Sequence, residues 1–136
     1  SMTETDIAKP LSWPYTNVSS DGGLNGRHPR GYGSFTRVLG RHVRERGELS
    51  LESAIRKMSS LAAENTGLSE RGEIREGYFA DLVLFDAETV LDRATPDEPN
   101  LTSVGIVGVW VNGARVYSAE GVTGNRPGRV LRRGDN

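Results

Sequence analysis

Cysteine is absent from the 136 residues, so the chain can form neither a disulfide nor a thiolate metal site, and the cytosol is its expected compartment. Histidine is scarce as well: His28 and His42 are the only two, and there is no His-x-His pair. A catalytic zinc normally takes three protein ligands and keeps a position open, so no metal site is expected from these residues alone. No apolar run comes near the ~20 residues that span a bilayer. The polar, acidic start Thr3-Glu4-Thr5-Asp6 does not read as a secretory signal. Neither sign of charge is in excess: 17 Lys and Arg face 18 Asp and Glu, for a net charge of -1. That balance argues against nucleic acid or a membrane surface as partner.

What is present suits a soluble chain of one domain's length with a modest core, 35% of its residues being hydrophobic. Glycine is plentiful at 17, so turns and loops must take up much of the length. Ser1 ahead of Met2 reads as the remnant of a removed tag.

Thr3 and Asp6 have capping-box spacing and predict a short helix that stops by Lys9, because Pro10 and Pro14 follow. Tyr15 to Val18 reads as a strand, running into the turn-rich Ser19-Ser20-Asp21-Gly22-Gly23 and a loop as far as Gly33. Ser34 is placed to cap a helix through Arg46, with Phe35, Val38, Leu39 and Val43 on its apolar stripe. Arg37, Arg41, Arg44, Arg46 and His42 are expected on its solvated side. Ser50 caps a second helix, with Leu51, Ala54, Ile55, Met58, Leu61 and Ala62 at helical spacing and Gly67 as its stop. Asp81 to Asp86 reads as a strand buried on both faces, and Ala87 to Ser103 as a loop. Gly105–Val111 and Ala114–Tyr117 form a hairpin about Asn112-Gly113. The tail from Gly121 has no clear period. The expected order is thus a strand, two helices and then several strands, an α/β first half and an all-β second half with a boundary near Leu68 to Gly72.

Two places could carry chemistry. Asp21 stands just past the end of the first expected strand, where α/β barrels put catalytic groups; a turn aspartate before glycine is very common and is the reading that the residues alone favour. The loop Gly26-Arg27-His28-Pro29-Arg30-Gly31-Tyr32-Gly33 sets an imidazole and two guanidiniums near it, and an arginine there could grip a carboxylate with two prongs. A solvated loop is the bland alternative. A phosphate-binding loop is disfavoured, since neither GxGxxG nor a following Gly-Lys-Ser/Thr occurs. A local Ser19/His28/Asp21 triad is conceivable but ranks low, because triads are usually assembled from distant segments.

These segments together resemble the D-aminoacylases (N-acyl-D-amino-acid deacylases) of the amidohydrolase superfamily. The resemblance runs through Ser20-Asp21-Gly22, His28 to Phe35, Leu51 to Met58, Arg71 to Ile74, Gly77 to Val83, Val111-Asn112-Gly113 and Gly128 to Arg133. The stretch Gly72 to Asp86 is shared across the superfamily; His28 to Phe35 and the closing arginines point to the D-aminoacylase branch. The resemblance implies the C-terminal segment of a metal-dependent enzyme. Residues 1–70 would be the end of a (β/α)8 barrel, with its last strand and helices. Residues 71–136 would supply C-terminal strands of a small β-sandwich. It also implies Asp21 as the catalytic aspartate, handling the proton of a metal-activated water and then protonating the leaving amine. Arg30 matches the residue expected to grip the substrate carboxylate, and Ser20, His28 and Tyr32 match neighbouring substrate-binding positions. Zinc is expected in the parent enzyme and not in this segment, whose family carries its HxH motif and other ligands upstream. The segment is expected to be inactive alone and to self-associate or meet an N-terminal partner chain. A different class remains open: a non-catalytic module pairing through its Leu82–Phe85 strand and its hairpin. Nucleic-acid binding by the Arg-Gly-Tyr-Gly loop is the weakest reading.

Overall fold

A computed structural model describes residues 3–23 and 26–133; the Ser1-Met2 start lies outside them. The order is α1 (Glu4–Ser12), α2 (Arg30–Arg37) running on as a π-helical stretch (Val38–Glu45), α3 (Leu51–Met58) and α4 (Ser60–Thr66). Strands β1 (Leu82–Phe85), β2 (Ile106–Val111), β3 (Ala114–Ser118) and β4 (Gly121–Val122) follow. The strands form one antiparallel sheet in the order β1-β2-β3-β4.

Local signals set most ends. Thr3 and Asp6 form the reciprocal capping box at the start of α1. The helix nevertheless runs through Pro10, which removes only one main-chain donor. It ends where Pro14 pushes Trp13 into the extended region (φ -72°, ψ 129°). Ser50 caps α3 by accepting the Ser53 amide, and Gly67, at φ 72°, closes α4. There Gly67 N–H donates to Glu64 O and Leu68 N–H to Ala63 O, the paired bonds of a Schellman ending. Asn112 and Gly113, both at positive φ (47° and 80°), make the two-residue turn between β2 and β3.

Five further expectations are corrected. Tyr15 to Val18 is not a strand, since among the described residues no other strand supplies a ladder; Val18 N–H donates instead to Lys57 O at 3.1 Å. The helix expected from Ser34 begins at Arg30, and Ser34 sits inside it, its hydroxyl donating to Arg30 O at 2.7 Å. The single helix expected from Ser50 to Gly67 breaks at Ser59 (φ -129°, ψ -89°), where Gly72 comes in against Ser59 O and Ala63. Strand β1 is not buried on both faces: Val83 is 57% and Leu84 53% exposed on the sheet edge. Finally, His42 is buried rather than solvated, its Nδ1 2.5 Å from Glu48 Oε2. Its neighbouring arginines are engaged too: Arg37 and Arg41 with Asp92, Arg46 with Glu48, and Arg44 with main-chain carbonyls.

One core joins helices and sheet. Val38 and Leu39 from the π-helical stretch, Ala54 from α3 and Val90 from the β1–β2 connection are its buried centre, with Phe85 and Ile106 packed against it. A second lock holds the sheet. Buried Arg71 binds Asp81 and Asn112 Oδ1, Asp81 Oδ1 accepts the Asn112 amide at 2.8 Å, and Asn112 Nδ2 donates to Pro127 O. Phe79 lies between the guanidiniums of Arg71 and Arg129, each 4.2 Å from its ring centre.

Candidate active site

The two loops that carry the candidate residues touch through bare backbone. A Cβ on Gly22 would lie 3.1 Å from Gly31 Cα and 3.3 Å from Ser20 Oγ, so the close approach depends on the missing side chain of Gly22. Asp21 and Arg30 each precede one of these glycines, and Arg30 Nη2 meets Asp21 Oδ2 at 2.8 Å. Asp21 takes the left-handed conformation (φ 48°), which aspartate tolerates better than most residues. Two hydroxyls steady the turn: Ser19 Oγ accepts the Asp21 amide and Ser20 Oγ the Gly22 amide, both at 3.3 Å. On the facing loop Pro29 offers no capping side chain, and His28 Nδ1 accepts the Arg30 amide at 3.2 Å in its place.

The ion pair is open to solvent, with side-chain exposures of 52% for Arg30 and 77% for Asp21. An exposed pair of this kind adds little to stability, so either partner can exchange it for a ligand. The positive end of α2 and the guanidinium both favour an anion there. Ser20 and Tyr32 face a different space, a cleft of about 670 Å³ between α2 and the sheet whose wall includes Phe35, Ile106, Val116 and Tyr117. Asp21, His28 and Arg30 do not line it. The five candidate residues therefore divide: the acid–arginine pair with His28 on the rim, Ser20 and Tyr32 at the cleft. Ser19 Oγ and His28 Nδ1 are both engaged with main-chain amides, which gives no support to a local triad.

Lys57 is a residue whose importance the apolar pattern hides. It is buried on α3 and donates to Trp13 O and to Thr16 O (3.0 Å), while its own carbonyl holds Val18. Asn65 adds a bond to Asn17 at 3.0 Å. The segment leading to Asp21 is thus strapped along α3 and α4. Burial, and then the nearby Arg56 charge, lowers the Lys57 pKa from its ordinary value. The signal was available: Ala54, Lys57 and Leu61 share a face at helical spacing, and a lysine there must bond to something.

Among the described residues, no three His, Cys, Asp or Glu side chains come together to hold a metal. Nor is any helix among them long and apolar enough to cross a membrane.

Comparison with known proteins identifies the family. The chain is 50% identical over 98% of its length to an N-acyl-D-aspartate deacylase of Alcaligenes xylosoxydans xylosoxydans, and covers 27% of that protein. It superposes on the crystal structure of a D-aminoacylase, described as defining a novel subset of amidohydrolases, with a TM-score of 0.93 at 46% identity; 97% of this chain and 28% of that one are covered. An N-acyl-D-glutamate deacylase from Bordetella bronchiseptica, solved with zinc and a phosphonate that mimics the tetrahedral intermediate, gives 0.89 at 50% identity, covering 96% and 28%. The chain spans about a quarter of the length of these relatives. The model of the Amidohydrolase family matches residues 15–117, well over half of the chain, and the chain belongs to that family.

Proposed function

We propose that this chain is the C-terminal part of a longer, metal-dependent enzyme that hydrolyses the amide bond of N-acyl-D-amino acids. The observation that carries the reading is the 2.8 Å Asp21–Arg30 pair, held by the Gly22–Gly31 contact. In an N-acyl amino acid the carboxylate carbon lies two bonds from the amide nitrogen. A site for it therefore needs a cation and a proton-transferring group side by side. Arg30 is the cation, with a planar fork that matches a carboxylate. When the substrate carboxylate takes the guanidinium, Asp21 is freed beside the scissile amide. There it takes a proton from the attacking water and gives it to the departing nitrogen. The new C–O bond and the broken C–N bond leave a carboxylic acid and a free D-amino acid. His28 fixes the first turn of α2, and Ser20 and Tyr32 are the substrate-side positions of the adjoining cleft.

Zinc in such an enzyme would polarise the amide carbonyl and acidify water. Among the described residues no three ligand side chains come together, so they supply no complete zinc site, and the remaining part of the longer protein would hold the metal. Residues 1–70 read as the end of a (β/α)8 barrel and 71–136 as strands of a small sandwich. Supporting this, every helix described lies before residue 68 and every strand after residue 81. A cytoplasmic location is the companion proposal, supported by the absence of cysteine. The test is an assay of the longer protein: release of the acyl acid from N-acyl-D-amino acids and not from their L-enantiomers is expected. Equal turnover of both enantiomers, or of neither, contradicts it.

One observation favours partner-seeking by the isolated segment, whether with its own copies or with the missing part. Val83 and Leu84 stand exposed on β1, which is also an open sheet edge. Light scattering of the segment alone should show association at micromolar concentration; a monomer with a sharp, cooperative melt contradicts this.

A further inference from the structure

The π-helical continuation of α2 carries a stripe of contacts that the charge pattern conceals. Gly33 and Arg37 of α2, and Gly40, Arg41 and Arg44 of the continuation, each meet the connection between β1 and β2. A Cβ on Gly33 would sit 2.8 Å from the Cβ of Asp92. Arg37 Nη1 donates to Asp92 Oδ2 at 3.1 Å, and Arg41 Nε stands 3.8 Å from Asp92 Oδ1. A Cβ on Gly40 would fall 2.7 Å from Leu91 Cδ1 and 2.8 Å from Val90 O. Arg44 Nη1 donates to Val90 O at 2.7 Å and Ala87 O at 3.1 Å. The hydroxyls of Thr36 and Ser103 meet at 2.6 Å, and Ser103 also donates to Tyr32 O at 3.4 Å.

Asp92 is the centre of this seam. Its side chain is only 8% exposed, and it sits under the first turn of α2, the turn that Arg30 opens. A carboxylate so far removed from water needs its cations, and Arg37 and Arg41 both come from the same helix as Arg30. The absent side chain of Gly33 then lets that helix settle directly onto Asp92.

We propose that Asp92 is a positioning residue for Arg30, wedged beneath α2 so that the guanidinium stands where a substrate carboxylate can take it. The proposal rests on the reading of Arg30 as the carboxylate clamp. Asp92 touches no reacting atom; it acts through the helix. A carboxylate-binding arginine on a rim exposed to solvent has few contacts of its own to orient it, so its aim must come from the backbone that carries it. Small displacements of such a group are costly, a misplacement of about 1 Å reaching about a hundredfold in rate.

The test joins two measurements. Amide hydrogen exchange at residues 31–33 reads the first turn of α2, whose N–H groups donate to His28 O and Pro29 O. Asp92→Asn and Gly33→Ala should both accelerate exchange there. In the full-length enzyme, each variant should raise KM for an N-acyl-D-amino acid by about tenfold or more, with kcat changed much less. The penalty should be far smaller for the analogue whose carboxylate is replaced by a carboxamide, and it should vanish in an Arg30→Ala background. A general loss of folding would instead lower activity on both substrates alike and add to the Arg30→Ala effect, which would overturn the proposal, as would unchanged exchange at 31–33. Should exchange accelerate while Arg30→Ala itself leaves KM untouched, the clamp reading fails and the positioning of α2 by Asp92 stands.

Discussion

Arg30 Nη2 lies 2.8 Å from Asp21 Oδ2 because the glycines that follow them, Gly31 and Gly22, rest against each other with no side chain between. The two glycines do not contribute equally. A Cβ on Gly22 meets Gly31 Cα at 3.1 Å, tighter than ordinary contact, whereas one on Gly31 finds Gly22 Cα at a comfortable 3.5 Å. Gly22→Ala should therefore part the loops and lower kcat/KM of the full-length enzyme by about tenfold. Gly31→Ala should leave kcat/KM nearly unchanged and stabilise the helix start by about 0.5–1 kcal/mol, since alanine loses less backbone freedom on folding. Kinetics and thermal melts of the two variants check this, and a reversed order contradicts the contact as described.

Arg30 should act on binding. Arg30→Ala removes a charge-assisted pair worth about 1.5–3 kcal/mol, to be seen mainly in KM. Arg30→Lys should restore little, because an ammonium cannot reproduce a two-pronged grip. Steady-state kinetics on substrates with and without the carboxylate give the answer. Equal losses on both would exclude the clamp.

Asp81 concerns stability alone. Its carboxylate pairs with buried Arg71 and accepts the Asn112 amide at the hairpin turn. Asp81→Ala leaves that guanidinium without its counter-charge and should cost about 3 kcal/mol. A urea midpoint equal to the parent's would show that the clasp is dispensable.

Much of the architecture was legible where one residue decides locally. The Asn112-Gly113 turn, the Thr3/Asp6 box, the Ser50 cap and the Gly67 ending all depend on groups within a few positions of each other. What escaped depends on distant partners. Gly31 and Gly33 read as loop because glycine is a poor helix former; their helix is held by contacts with Gly22 and with Asp92, the latter far along the chain. Arg37 and Arg41 read as solvated for the same reason: Asp92 is their partner. The strand expected at Tyr15–Val18 had the right pattern but meets no neighbouring strand among the described residues, and Lys57 binds that segment instead. Of the candidate site, Asp21 and Arg30 were visible as residue types near one another; the glycine contact that pairs them was not. The spacing of Gly33 and Gly40, with arginines between and after, was the available sign that this helix face rests on something.

The role of Asp21 as the proton carrier is tested by its replacement with asparagine in the full-length enzyme. Asparagine keeps the size and tolerates the left-handed turn, but it cannot carry a proton between water and the departing nitrogen. A fall in kcat of about a hundredfold or more is expected, with KM changed far less. Turnover at the parent's rate would contradict it.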